Sequence, residues 1–286
     1  MRFDRALSVY LFHPAQLAVP ARSTGALPIL MYHGISDEPE RGSAYYKVNT
    51  SPAVFDRQMA FLKERGYETI ALSEAVRLLN RRESAGPKRI VISFDDGYRN
   101  FYTHAFPILK KYGFSATMFL PTAYIGTTRA SFKGIECMTW GEVRELRKAG
   151  IEFGSHTVTH PKLVELDWND VERELRESKT EMETQLGARV TTFAYPFAFP
   201  QAKPRFVQRF GDALVENGYR CCLTTEVGRA RPGDNVYRLK RLPVNTEDDI
   251  NLFRAKLEGG YDWLALPQAM VKRVKSLQLN APDDAK

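Results

Sequence analysis

The stretch RIVISFDDGYRN, from Arg89 to Asn100, decides how the rest of the chain is read. Arg89 to Phe94 is an apolar run of strand length, and Asp95-Asp96-Gly97 follows it at once. A helical stretch from about Phe101 to Lys111 comes next and stops at Gly113. Ser115 to Leu120 then reads as another strand, completing a strand–helix–strand unit whose polar residues stand at the first strand's tip. Working outward, the same alternation recurs. Upstream, Ile29 to Tyr32 forms a strand ending at His33-Gly34. Ser51 caps a helix carrying Phe55, Met59 and Leu62 at helical spacing, and a further helix runs from Ser73 through Leu79. Downstream the spacing predicts a helix over Trp140 to Lys148, a strand over Ile151 to Ser155, and a long charged helix from Asp167 to Leu186. Strands over Thr191 to Tyr195, Tyr219 to Thr224 and Tyr237 to Pro243, with helices over Phe206 to Asn217 and Asp248 to Leu257, complete the set. Gly126 to Met138 is polar and irregular and reads as a loop over the site. Such alternation predicts an α/β fold with parallel strands.

Length and composition bound this reading. A chain of 286 residues, 43% hydrophobic and 26% charged, is globular in composition and long enough for a single barrel domain. No internal repeat or low-complexity linker divides it. We place an N-terminal segment at 1–26, one domain at 27–265 and a tail at 266–286. The net charge of +7, from 41 basic and 34 acidic residues, is spread along the chain. No basic tract or nucleic-acid motif accompanies it, so a nucleic-acid partner is not expected, and nothing marks a protein partner. Cys137, Cys221 and Cys222 are an odd set with a vicinal pair; they read as buried thiols in a reducing compartment rather than a disulfide framework. Arg2 and Arg5 precede the apolar run Ala6 to Phe12, which His13 and Pro14 cut to about half the length of a signal-peptide core. This segment reads as an N-terminal helix or a membrane-skimming element, and the cytoplasm is favoured over export.

The polar clusters carry the chemistry. His33, Asp95-Asp96, His156 and Tyr195-Pro196 all fall just after strands. In a barrel of alternating strands and helices, strand C-termini share the face where active sites form. In HTVTH, His156 and His160 stand four apart, so a helical turn would bring both rings to one metal. Adjacent carboxylates at a strand tip repel one another unless something uses their charge. A divalent metal resolves that conflict by taking Asp96 as ligand and leaving Asp95 as base for a water. One carboxylate and two imidazoles suit Zn²⁺ or a similar first-row ion. The same set also serves non-haem iron, but the extra aspartate favours hydrolysis.

Taken together these segments resemble the polysaccharide deacetylases, the NodB-homology family of carbohydrate esterases. SFDDGYRN (Ser93 to Asn100), GSHTVTH (Gly154 to His160) and FAYPFA (Phe193 to Ala198) resemble its first three motifs. LMYHGI (Leu30 to Ile35) resembles the opening strand of a branch acting on biofilm exopolysaccharides. The resemblance implies a distorted (β/α) barrel of the NodB-homology type and deacetylation of an acetylated amino-sugar glycan. It makes Asp95 the catalytic base, Asp96, His156 and His160 the metal ligands, and Pro196 part of the sugar site with Tyr195, Phe197 and Trp140. The backbone N–H of Phe197 would meet the oxyanion. Two departures stand out. Many members orient the base with an arginine at the start of the third motif, where this chain has Ala194; Arg241 or Lys240 is the candidate substitute. Many also use a late histidine as acid, yet no histidine follows His160. In the exopolysaccharide branch the acid lies on the first strand, which implies His33. Tyr98 and Trp263 are further aromatics near the motifs, while His13 and His104 fit none. Hydrolysis of a small amide, formamide or O-acetyl ester, and an inactive carbohydrate-binding relative, are the alternative readings.

Overall fold

The computed structural model describes residues 2–18, 25–39, 47–86 and 88–271. Ten strands occur among them: β1 (Ile29–Tyr32), β2 (Glu68–Thr69), β3 (Arg89–Phe94), β4 (Thr117–Leu120), β5 (Ser131–Phe132), β6 (Ile135–Glu136), β7 (Glu152–Ser155), β8 (Thr192–Ala194), β9 (Cys221–Val227) and β10 (Leu239–Pro243). The α-helices are α1 (Phe3–Leu7), α2 (His13–Ala18), α3 (Pro52–Glu64), α4 (Leu72–Asn80), α5 (Phe106–Tyr112), α6 (Trp140–Lys148), α7 (Trp168–Leu186), α8 (Pro204–Glu216) and α9 (Ile250–Glu258). Seven parallel strands pair in the ring β1-β10-β9-β8-β7-β4-β3, and β1 pairs back onto β3 to close it. β2 adds to the outside of the ring at Arg89 and Ile90, and β4 takes over the same edge of β3 at Ser93 and Phe94. The fold is therefore the single-domain (β/α) barrel expected, distorted by having seven staves.

Strand alternation sorts the side chains, because successive residues of a strand face opposite sides. Ile29, Val91, Phe119, Ala194, Leu223 and Leu239 fill one apolar cluster within the ring. Their neighbours Leu30, Ile92, Met118, Phe153, Phe193 and Leu242 pack outward against the helices in a second, larger cluster. The inward series on β1, β3, β7 and β10, continued by two residues, arrives at His33, Asp95, His156 and Arg241. Period two thus delivers these four polar groups to the mouth of the lumen. Gly154 keeps that lumen narrow just below the mouth: a Cβ there would lie 2.4 Å from Thr192 Oγ1 and 2.5 Å from the Phe119 ring.

One expectation needs correcting. The segment 126–138 is not a plain loop; it holds the antiparallel hairpin of β5 and β6. Its turn is formed by Lys133 and Gly134 with φ of 53° and 79°, the twist a tight hairpin requires. The N-terminal segment is helical over residues 3–18 and lies on α9. Arg2 bridges to Asp248, Arg5 to Asp249 and His13 to Glu258, and Phe12 stacks on Trp263 at 4.9 Å. The placed part of the expected tail, up to 271, is a helix whose Gln268 accepts from the Val227 N–H and donates to the Thr225 carbonyl. Residues 19–24, and the tail beyond 271, lie outside the described residues. Among the described residues no helix is long and apolar enough to cross a membrane. Cys137, Cys221 and Cys222 are free and buried.

Gly154→Ala is expected to lower stability by about 1–3 kcal/mol in a denaturant melt, the usual cost of overpacking a filled interior. An unchanged midpoint would contradict the close approach described for the lumen.

Candidate active site

Asp95 is buried directly beyond β3, and its N–H donates to the Tyr32 carbonyl at 3.0 Å, extending the β1–β3 ladder past both strands. Its carboxylate meets the Arg241 guanidinium edge-on: Nη1 to Oδ1 and Nη2 to Oδ2 are both 2.8 Å. Arg241 is itself buried, and its third nitrogen, Nε, donates to the Thr224 carbonyl at 3.0 Å. Burial works against a charge on Asp95, but the arginine outweighs it, helped by His156 and His33, and the carboxyl sits below its ordinary pKa. The planar fork fixes the orientation of both oxygens as well as the charge. With Ala194 on β8, the arginine that pairs with Asp95 comes from β10. Lys240 does not substitute; it alternates to the outer face.

Asp96, His156 and His160 are all buried, and one donor atom from each lies within 4.8 Å of the others. Asp96 Oδ1 stands 3.3 Å from His160 Nε2 and 3.6 Å from His156 Nε2. His156 Nδ1 lies 2.7 Å from the Ala194 carbonyl, which can only accept, so Nδ1 carries the hydrogen and Nε2 presents its lone pair. Burial pushes His156 down to about 4, against the pull of Asp95, so the ring is neutral near pH 7. Two imidazole nitrogens then converge on an anion, and Asp96 Oδ1 and His160 Nδ1 are buried with no hydrogen-bond partner. A cation bound between the two Nε2 atoms and Asp96 Oδ1 gives that unpartnered oxygen its counter-charge, so the residues fit a divalent metal.

The histidine motif reaches this geometry by a different route from the helical turn expected of it. Residues 156–160 are loop, with Thr157 at φ 72° and His160 at φ 55°. The His160 N–H donates to Thr157 Oγ1 at 2.9 Å, closing a tight local turn. Glu174 on α7, which the sequence reading missed, clamps the loop from behind. Its carboxylate accepts from the N–H groups of Val158 at 2.7 Å and Thr159 at 2.9 Å, and from Thr159 Oγ1 at 2.7 Å. A buried glutamate on a charged helix looks like any solvated residue in sequence, so only the fold discloses it. Asp96 at φ 74° and Phe197 at φ 57° share the left-handed backbone, which non-glycine residues seldom adopt. Such strain gathers where a surrounding structure must hold side chains in place.

His33, one residue beyond β1, has Nε2 at 3.9 Å from Asp95 Oδ2. Burial lowers its pKa, and the charges of Asp95 and Asp96 pull it partly back. Of the residues expected against sugar, Phe197 is 44% exposed and packs edge-on against His160 at 4.6 Å. Pro196 is buried beside it. Tyr195 and Trp140 correct the expectation: each is 1% exposed, and Tyr195 packs against Phe199 and Phe210 as core. Tyr98 is buried too, Trp263 is committed to the N-terminal helix, and His13 pairs with Glu258. Aromatics in motif segments were therefore mostly packing, because a barrel rim needs apolar support beneath its polar groups.

Residues 82–214 match the family profile described as polysaccharide deacetylase. YxkH of Bacillus subtilis, a relative bearing that family's name, is 31% identical over 232 residues, covering 81% of this chain and 76% of its own. The poly-beta-1,6-N-acetyl-D-glucosamine N-deacetylase of Staphylococcus aureus is 29% identical over 209 residues, 70% of this chain and 69% of its own. Among solved structures, the Streptococcus pyogenes deacetylase PplD in complex with acetate superposes with a TM-score of 0.71 at 26% identity, covering 82% of this chain and 99% of its own. IcaB from Ammonifex degensii shares the fold, with a TM-score of 0.66 at 23% identity over 82% of this chain and 97% of its own. The profile match spans Asp95, Asp96, His156 and His160 but not His33 or Arg241, which the barrel's closure alone joins to them.

Glu174→Gln, which keeps the shape but removes the charged acceptor, is expected to weaken zinc binding by about 10-fold in a chelator competition, as for other groups that support metal ligands. Arg241→Met should cost about 3–5 kcal/mol of stability by leaving Asp95 charged and unpaired; equal melting of variant and parent would show that the pair does not carry Asp95.

Proposed function

This chain belongs to the polysaccharide deacetylase family, and we propose that it is a metal-dependent hydrolase removing N-acetyl groups from a polymer or oligomer of N-acetylglucosamine. The observation that carries this reading is the juxtaposition of Asp96, His156 and His160 with an ionised Asp95 held by Arg241. Zinc is the ion this donor set suits, since two imidazoles and one carboxylate leave positions open for water and substrate. When bound, the ion supplies Lewis acidity toward the acetyl carbonyl and acidifies a water.

The remaining work falls to residues of the chain. Asp95 takes the proton of the attacking water, and Arg241 keeps the carboxylate ionised and aimed. The Phe197 N–H, on a loop fixed by Thr225 Oγ1 donating to the Phe197 carbonyl, is a candidate donor to the developing oxyanion. His33 follows β1, between Arg241's strand and Asp95, and gives a proton to the departing nitrogen as its bond to the acetyl carbon breaks. The products are a free amine on the sugar and acetate. The staphylococcal relative's substrate, by its name a β-1,6-linked N-acetylglucosamine polymer, supports the same polymer as the first to try here.

The deciding measurement is acetate release from N-acetylglucosamine oligomers by chelated and zinc-restored protein. Activity should vanish on chelation and return with zinc. Asp95→Asn should bind zinc and lose about 10²–10⁴-fold in kcat, the range for a positioned acid–base group. Full turnover by Asp95→Asn, or by the metal-free protein, would refute the assignment.

A further inference from the structure

One cation at the mouth of the site has no part in the chemistry above. Lys133 sits at the turn of the β5–β6 hairpin, and its Nζ lies 3.6 Å from Asp96 Oδ2. The ammonium rests over the Phe132 ring at 4.4 Å and the Phe197 ring at 5.4 Å, while the lysine side chain stays 46% exposed. The hairpin beneath it is anchored. The Met138 N–H donates to the Gly97 carbonyl at 3.0 Å, and Phe132 packs against Tyr124 at 4.4 Å and His160 at 5.0 Å. The neighbouring cations are engaged elsewhere: Arg129 and Arg99 both pair with Glu142. Lys133 alone among the described basic residues of the hairpin points its charge at the triad.

The charges around the mouth do not cancel once their partners are assigned. Arg241 matches Asp95, and Asp96 is committed to the triad. Lys133 therefore adds a positive charge to a mouth through which the sugar must enter, beside the exposed face of Phe197. A fully acetylated sugar is neutral there, whereas each completed turnover leaves a cationic amine on the polymer. Resting on the functional reading above, we propose that Lys133 reads the charge of the sugars flanking the reacting acetamide. Neutral or anionic neighbours are accepted and ammonium-bearing neighbours are turned away, so the product carries isolated free amines instead of contiguous blocks. Like charges about 10 Å apart near a protein surface repel enough to change a rate about 10-fold. This is a specificity role; it requires no bond to be made or broken by Lys133.

The test compares two oligomers at a pH where glucosamine is protonated: an N-acetylglucosamine pentamer, and the same pentamer with one glucosamine beside the central acetylated sugar. Zinc-loaded full-length protein should show a kcat/KM ratio of about 10 in favour of the neutral pentamer at about 0.05 M salt, narrowing at about 0.5 M as screening shortens the reach of the charge. Lys133→Met should bring the ratio to about 2 or less, and Lys133→Arg should retain it. A parent ratio near one, or a ratio that Lys133→Met leaves unchanged, overturns the proposal while leaving deacetylation intact. Lys133→Gln, expected to give the same ratio of about 2 or less, decides the question if the methionine variant folds poorly. Acetate release from neither pentamer would instead overturn the functional reading, and this inference with it.

Discussion

Two carboxylates adjacent in sequence and buried at one strand tip must both stay ionised, and the site is built around that constraint. The barrel meets it by sending the two charges in opposite directions. Asp95 extends the β3 ladder and receives a bidentate arginine from β10. Asp96 turns into left-handed backbone and faces His156, His160 and Lys133. Without that split the repulsion between neighbours would fall on the folded state, and one of them would take up a proton. With it, one carboxylate is held in a fixed orientation by Arg241 and the other faces the two histidines.

The arginine explains why closure of the barrel matters to the chemistry. β1 lies between β10 and β3, so Arg241 reaches Asp95 across β1 and passes close to His33 and Ser93 on the way. A sheet left open at β1 would separate Asp95, Arg241 and His33 onto different edges. The same closure buries Arg241 completely, which makes the pair costly to break. Function and stability are coupled here through one side chain.

The rim is held by groups that sit behind the residues of the candidate site. Glu174 supports the histidine loop, the Ala194 carbonyl fixes the tautomer of His156, and Gly154 lets β7 approach β4 and β8 closely enough to aim that histidine inward. The hairpin of β5 and β6 and the loop bearing Phe197 cover the triad from two sides. Within that cover Lys133 and Phe197 bring partly exposed side chains beside the triad.

The sequence by itself determined the alternation of strands and helices, the parallel barrel, and the nearness of Asp95, Asp96, His156 and His160. Apolar runs of strand length ending in polar residues dictate all of these through period two and a shared barrel face. It also narrowed the missing arginine to Arg241 or Lys240, and alternation on β10 makes that choice once the strand's facing is known. Other features were illegible for definite physical reasons. The spacing of His156 and His160 fits a helical turn as well as the strained loop it occupies, because Thr157 and Glu174 act through backbone groups. Tyr195 and Trp140 have the composition of a sugar platform, and burial made them core. Glu174 and Lys133 look like ordinary surface charges until α7 and the hairpin are placed against the triad. Tertiary structure alone decides such roles, since they depend on contacts between segments whose separation along the chain carries no signal.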